Sequence, residues 1–175
     1  VNRRLTHILI TGAPGVGKTT IVKALFSELG HLRPIGFFTE EIREKGVRKG
    51  FRLIGHGGQS GILAHVNIPS AARVSRYGVD VAAFEGFLDS LDLLESSSAL
   101  VIIDEIGKME CFSGKFLVLL DRLWSSEKRV IATIAMTSSG PMAAIRSRSD
   151  VKLLTLTADN RQGFCRRIIG ELGLL

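Results

Sequence analysis

The sequence predicts an α/β fold in three layers: a mainly parallel β-sheet flanked by helices, carrying an antiparallel β insertion. Three observations point to it. A glycine-rich loop at 12–20 stands between an apolar strand pattern and an amphipathic helix pattern. Apolar runs then alternate with helical periodicity to the end of the chain, the order of parallel strands joined by covering helices. Between about 35 and 66, three short extended runs follow one another with only turns between them, as antiparallel strands do.

The first strand is His7–Thr11. The helix after the loop covers about 18–29, with Ile21, Val22, Leu25, Phe26 and Leu29 on one side and Gly30 at its end. The insertion supplies 35–42, 51–54 and 62–66, separated by a turn-like stretch at 44–50 and by Gly57 and Gly58. Residues 67–77, with Pro69, read as a connection. Asp80 caps a helix bearing Phe84, Phe87, Leu88 and Leu91. After the serines at 96–98, 99–103 is a wholly apolar strand. Ser113 caps a helix with Phe116, Leu117, Leu120, Leu123 and Trp124. Residues 130–135 form another strand, Pro141 suits the first turn of a short helix, 152–157 is the last strand, and a helix runs from about Asn160. No repeat, low-complexity tract or long linker divides the chain, so 1–175 reads as one domain.

With 175 residues, 45% of them hydrophobic, the chain can bury a core and is not a disordered segment. No apolar run is long enough to cross a bilayer, and Val1, Asn2, Arg3 and Arg4 begin no leader pattern, so a cytoplasmic location is expected. Cys111 and Cys165 form no CxxC pair. His7, His31, His56 and His65 form no HxxxH pattern. Nucleotide-bound Mg²⁺ is therefore the only metal expected. Lys and Arg number 23 against 17 Asp and Glu, a net charge of +6 that favours polyanions. The basic residues are dispersed, without interleaved aromatics. A nucleotide is the preferred partner, nucleic acid is the alternative, and no oligomeric state is specified.

Residues Gly12, Ala13, Pro14, Gly15, Val16, Gly17, Lys18, Thr19 and Thr20 fit the phosphate-binding loop pattern GxxxxGK[ST] in its strand–loop–helix setting. Gly12, Gly15 and Gly17 permit backbone conformations and approaches that a Cβ would hinder. The loop amides and helix N-terminus then face a polyphosphate, Lys18 reaches the β- and γ-phosphates, and the Thr19 hydroxyl is placed to ligate Mg²⁺. Leu100, Val101, Ile102 and Ile103 lead into Asp104, Glu105, Ile106 and Gly107, a Walker-B pattern that delivers Asp104 to the C-terminal tip of a buried strand. Ligands of open α/β sheets bind at that edge. Asp104 can hold the Mg²⁺ shell. Hydrolysis also needs an oriented, deprotonated water, and Glu105 beside the metal ligand can supply both. Thr133 is a lone polar residue in an apolar strand, a candidate γ-phosphate or water sensor. Arg146, Arg148 and Arg161 are candidates for stabilising transition-state charge.

Several segments occur in a characteristic order: the loop at 12–20, Gly-Phe-Phe-Thr-Glu-Glu-Ile-Arg at 36–43, Gly-Phe-Arg at 50–52, Arg-Val-Ser-Arg-Tyr-Gly-Val-Asp at 73–80, Val-Ile-Ile-Asp-Glu-Ile-Gly-Lys-Met-Glu at 101–110 and Asp-Asn-Arg at 159–161. On these the chain resembles the thermostable nucleoside-triphosphatase family, which includes the human cancer-related nucleoside triphosphatase, within the P-loop NTPase superfamily. The resemblance covers nearly the whole chain, and residues 104–110 are its most specific part. It implies a RecA-like domain that hydrolyses ATP, GTP and other nucleoside triphosphates to diphosphate and phosphate, slowly and with broad base tolerance, using contacts at the P-loop and along 100–107. Two residues depart from the family pattern: Cys111 stands in place of a larger aliphatic, and Ser75 where Gly is common. A kinase of a small molecule or polynucleotide end, and a nucleotide-switched RNA-binding regulator, are the competing readings of the same motifs.

Overall fold

The computed structural model describes residues 7–136 and 139–173; the polar opening, Val1 to Arg4, lies outside them. The strands are β1 (His7–Thr11), β2 (Ile35–Glu44), β3 (Val47–Gly55), β4 (Ser60–His65), β5 (Arg73–Val74), β6 (Tyr77–Val79), β7 (Leu100–Ile106), β8 (Arg129–Ile134) and β9 (Val151–Thr155). The helices are α1 (Lys18–Glu28), α2 (Val81–Leu91), α3 (Gly114–Ser125), α4 (Pro141–Arg146) and α5 (Phe164–Glu171). Among the described residues, the nine strands form one sheet in the order β5-β6-β4-β3-β2-β7-β8-β1-β9. From β2 to β9 the pairings are parallel. From β2 outward to β5 they are antiparallel. No helix among the described residues is long and apolar enough to cross a membrane.

The alternation of side chains along a strand divides the core in two. In β1, Ile8 and Ile10 pack with Val22, Leu25, Phe164 and Ile168 of α1 and α5. Leu9 packs on the opposite face with Phe84, Phe116 and Leu120 of α2 and α3. In β7, Leu100 and Ile102 share the α1 side, while Val101 and Ile103 face α2 and α3. This parity sets up the site. Asp104 is in step with Leu100 and Ile102, and Thr133 in step with Ile131, so both belong to the face that α1 and its preceding loop cover. The helix starts behave as their sequences indicate: Asp80 Oδ1 accepts the Ala83 N–H at 2.9 Å, and Ser113 Oγ accepts the Phe116 N–H at 3.0 Å.

Three local readings differ. The turn-like stretch 44–50 shrinks to Lys45 and Gly46, whose φ angles of 48° and 78° suit a tight two-residue hairpin turn. The flanking strands run longer because Glu41 pairs with Arg43 at 2.6 Å and with Arg48 at 2.7 Å on the exposed face, an arrangement that apolar periodicity cannot reveal. The antiparallel run also continues past 66: β5 lies inside the stretch read as a connection, β6 begins at its last residue, and together they extend the sheet to Val79. Ser75, between them, has φ 55°, which gives a physical reason for the usual glycine there. Finally, α5 starts at Phe164 and not near Asn160, because the Asn160 side chain closes a turn: its Oδ1 accepts the Thr157 N–H at 2.9 Å and its Nδ2 donates to the Thr155 carbonyl at 2.9 Å.

Candidate functional site

The loop between β1 and α1 is pressed against the segment following β9. The Leu156 N–H donates to the Thr11 carbonyl at 2.8 Å. A Cβ on Gly12 would lie 2.6 Å from the Leu156 carbonyl oxygen, so the chain can leave β1 here only as glycine. Gly17 caps α1 without any side-chain hydrogen bond, leaving the first-turn amides free of a side-chain acceptor. Such amides form an anion site at a helix start. Lys18 lies along the loop, its Nζ donating to the Gly12 carbonyl at 2.9 Å and the Ala13 carbonyl at 3.3 Å. Ala13, Pro14, Gly15 and Thr20 are exposed, and Val16, Gly17, Lys18 and Thr19 partly so.

Asp104 emerges at the tip of β7, 1% exposed. Its Oδ2 accepts from the Thr19 hydroxyl at 2.7 Å, the Thr39 hydroxyl at 3.2 Å and the Thr39 N–H at 3.3 Å. Its Oδ1 accepts from the Thr133 hydroxyl at 3.0 Å. Because β8 runs between β1 and β7, Thr133 bridges the gap and receives a second bond: the Glu105 N–H donates to its Oγ1 at 2.7 Å. Leu100, Val101, Ile102, Ile103 and Ile106 are sealed in the two cores. They carry Asp104 to the edge but offer no surface to a ligand.

Strict alternation would send Glu105 into the core beside Val101 and Ile103. A bulge prevents it. Ile103 pairs with Ala132 and Ile106 with Ile134, so three steps of β7 oppose two of β8. Glu105 absorbs the extra residue at φ 76°, a left-handed conformation that costs a residue with a Cβ about 1–2 kcal/mol. Strain held at one carboxylate in this way is characteristic of functional sites. Burial, and then the Asp104 carboxylate, push the Glu105 pKa upward, against the pull of Lys18. Behind it, the fully buried Glu110 accepts the Gly107 N–H on Oε2 at 3.1 Å. Glu110 Oε2 and Glu105 Oε1 stand 2.9 and 3.2 Å from the point where Gly107 would carry a Cβ. Burial, and then Glu105, hold the Glu110 carboxyl well above the usual range.

Thr39 and Glu110 escaped the reading of individual residues. Both lie in segments that carry the family resemblance, yet Thr39 reads alone as an ordinary strand residue and Glu110 as a surface charge. The three arginines part company. Arg146 donates to the Ala135 carbonyl at 2.8 Å and to the Thr11 hydroxyl at 3.3 Å, holding the ends of β8 and β1. Arg148 is tied to Asp150 at 2.8 Å and covers Trp124, away from the loop. Arg161 lies against Gly17.

The hydroxyl of Thr19 and the carboxylate of Asp104 are hard oxygen donors side by side. Among the described residues no group of three or more His, Cys, Asp or Glu could hold a metal ion. A two-oxygen set suits Mg²⁺, which keeps several waters and takes further ligands from substrate phosphates.

The profile of the family described as NTPase matches residues 7–169. The chain belongs to this family. It is 43% identical over 166 residues to Nucleoside-triphosphatase THEP1 of Thermotoga sp. (strain RQ2), covering 94% of each chain. It is 35% identical to the mouse Cancer-related nucleoside-triphosphatase homolog, covering 93% of this chain and 94% of the mouse protein. The crystal structure of THEP1 from Aquifex aeolicus superposes with a TM-score of 0.85 at 37% identity, over 95% of this chain and 99% of that one. The solution structure of a human cancer-related nucleoside triphosphatase gives 0.79 at 33% identity, over 95% and 97%. NTPase family membership thus agrees with the fold and makes this an enzyme of the nucleoside-triphosphatase class.

Proposed function

We propose that the chain is a Mg²⁺-dependent nucleoside triphosphatase that converts ATP, GTP and related nucleotides to diphosphate and phosphate with broad base tolerance. The observation that carries this reading is the bulge at Glu105, which turns a strained carboxylate out of the core beside Asp104 and within the influence of Lys18. The loop amides and Lys18 bind the phosphates. Thr19 and Asp104 would hold Mg²⁺, which when bound supplies charge compensation at the β- and γ-phosphates. Glu105 orients a water and takes its proton as the water oxygen bonds to the γ-phosphorus and the bond to the β,γ-bridging oxygen breaks, releasing diphosphate. A raised carboxylate pKa suits a base working near neutral pH. Thr133 and Thr39 hold Asp104, and Thr133 also fixes the Glu105 backbone. Thr133 is thus a positioning residue more than a free sensor. The free thiols Cys111 and Cys165, both raised to about 11 by burial, fit the reducing cytoplasm we assign to the protein.

Phosphate release from ATP, GTP, CTP and UTP tests the proposal. Release from several of them, abolished by Lys18→Ala and by chelation of Mg²⁺, is the expected result. Release from none, or release untouched by Lys18→Ala, would overturn it.

A further inference from the structure

The proposed hydrolytic groups are arranged in strand order along one edge of the sheet. Asp104 and Glu105 stand on β7, Thr133 on β8 and the phosphate-binding loop on β1. The row continues to β9, which pairs with β1 from His7 and Val151 up to Thr11 and Thr155. On the hydrolytic reading proposed above, the γ-phosphate end of a bound triphosphate would lie toward β7, which carries Glu105. β7 and β9 are three strand spacings apart, about 14 Å at ~4.8 Å per strand. The segment after β9 therefore borders the opposite, nucleoside end of the ligand.

That segment is built to present one side chain. The Leu156 carbonyl abuts Gly12, and Asn160 ties Thr155 and Thr157 into a turn. Arg161 follows at once. Its Nε and Cζ lie 3.6 and 3.7 Å from the position a Cβ would take on Gly17, so the guanidinium rests on the loop backbone where α1 begins. The residue is exposed. Unlike Arg146 and Arg148, its guanidinium has no carboxylate or hydrogen-bond acceptor among the described residues.

We propose that Arg161 is the nucleobase platform of this site: its guanidinium stacks on the base of the bound nucleoside triphosphate and does not reach the γ-phosphate. The proposal rests on the nucleotide-hydrolysing reading above and adds its specificity. A guanidinium is planar and stacks on π-faces. Every base has such a face, so stacking is tolerant of base identity. Selecting one base would instead require buried polar groups matched to it. Broad tolerance then comes from one residue that grips without reading.

The test compares wild type, Arg161→Ala and Arg161→Lys in binding ADP, GDP, CDP, UDP and inorganic tripolyphosphate, with KM and kcat for the four triphosphates. Both variants are expected to fold with the wild-type Tm, since Arg161 is exposed and unpaired. Arg161→Ala weakens all four diphosphates by a similar factor, roughly 5- to 150-fold on the scale of base stacking. The effect falls on KM, tripolyphosphate binding is unchanged, and Arg161→Lys does not restore affinity because it keeps the charge and loses the plane. Five results would overturn the proposal: a fall in kcat at unchanged KM, a weakening shared by tripolyphosphate, a loss that Lys repairs, a loss confined to one base, or no effect. Failure of the wild type to bind any nucleotide would instead overturn the reading on which the proposal rests.

Discussion

Thr133→Val removes one hydroxyl and almost nothing else. Thr133 is 0% exposed, and its Oγ1 both donates to Asp104 at 3.0 Å and accepts the Glu105 N–H at 2.7 Å. A hydrogen bond to a charged group contributes about 1.5–3 kcal/mol, and a buried N–H left without a partner costs about 1–3 kcal/mol. Valine has nearly the same shape, so no cavity adds to the sum. The two effects overlap because they meet at one atom, and the expected loss is about 2–5 kcal/mol. Thr133→Ser keeps both bonds and removes a methyl, which costs about 1 kcal/mol. Urea unfolding of the three proteins reads these values directly. Hydrolysis should fall roughly 10- to 100-fold in Thr133→Val, less than the about 10²–10⁴ a positioned base supplies, because the strained Glu105 backbone loses its anchor but keeps its carboxylate. Nucleotide affinity should change little, because Thr19 and Thr39 still hold Asp104. A loss of stability no greater than that of Thr133→Ser would show that the hydroxyl anchors neither Asp104 nor the Glu105 backbone.

Other consequences can be measured on the same protein. Glu110 has a folded pKa raised by burial and by Glu105. The folded state thus keeps a proton that the unfolded chain gives up, and wild-type stability declines as pH rises from about 4.5 toward the raised value. Glu110→Gln should flatten this slope and gain on wild type between pH 4.5 and 7.5; parallel pH profiles would contradict it. His7 shows the opposite sign. Burial lowers its pKa, outweighing the Trp124 carbonyl and Asp150, while its Nδ1 accepts the Val130 N–H at 3.2 Å. Its contribution is present above about pH 6.5 and lost as pH falls below, so Tm should drop less between pH 7.5 and 5.5 in His7→Gln than in wild type. An equal drop would argue against it. Ser75→Gly relieves a left-handed φ of 55° and should raise stability by about 0.5–1 kcal/mol after the entropy of glycine is counted, as read from the urea midpoint. An unchanged midpoint would show that the turn carries no strain.

Much of this was legible in the sequence because it follows from periodicity. The loop at 12–20, the apolar run into Asp104 and the caps at Asp80 and Ser113 each declare themselves by residue type and spacing. Parity along β7 and β8 even places Asp104 and Thr133 on the face of the loop. Glu105 was named for its chemistry, but its bulge was hidden: a left-handed φ at a glutamate leaves no mark in composition. Thr39 and Glu110 were hidden for a different reason. Their roles depend on β2 lying beside β7 and on a buried turn at Gly107, and both are tertiary facts. The charged inner ends of the hairpin strands, read as a turn, escaped a search for apolar alternation because they are held by pairs such as Glu41 with Arg43 and Arg48. Of the three arginines, Arg161 is set apart by strand order, since β9 is adjacent to β1 on the side away from β8, and by a guanidinium without a polar partner among the described residues; neither shows in the sequence.

On the proposed reading, Glu105 acts on water while other groups hold the nucleotide. Single-turnover release of γ-phosphate from bound ATP by Glu105→Gln, with ATP affinity measured in parallel, tests it most directly. Hydrolysis should slow by about 10²–10⁴, the contribution of a positioned general base, with affinity within about threefold of wild type. Hydrolysis at the wild-type rate would contradict that reading.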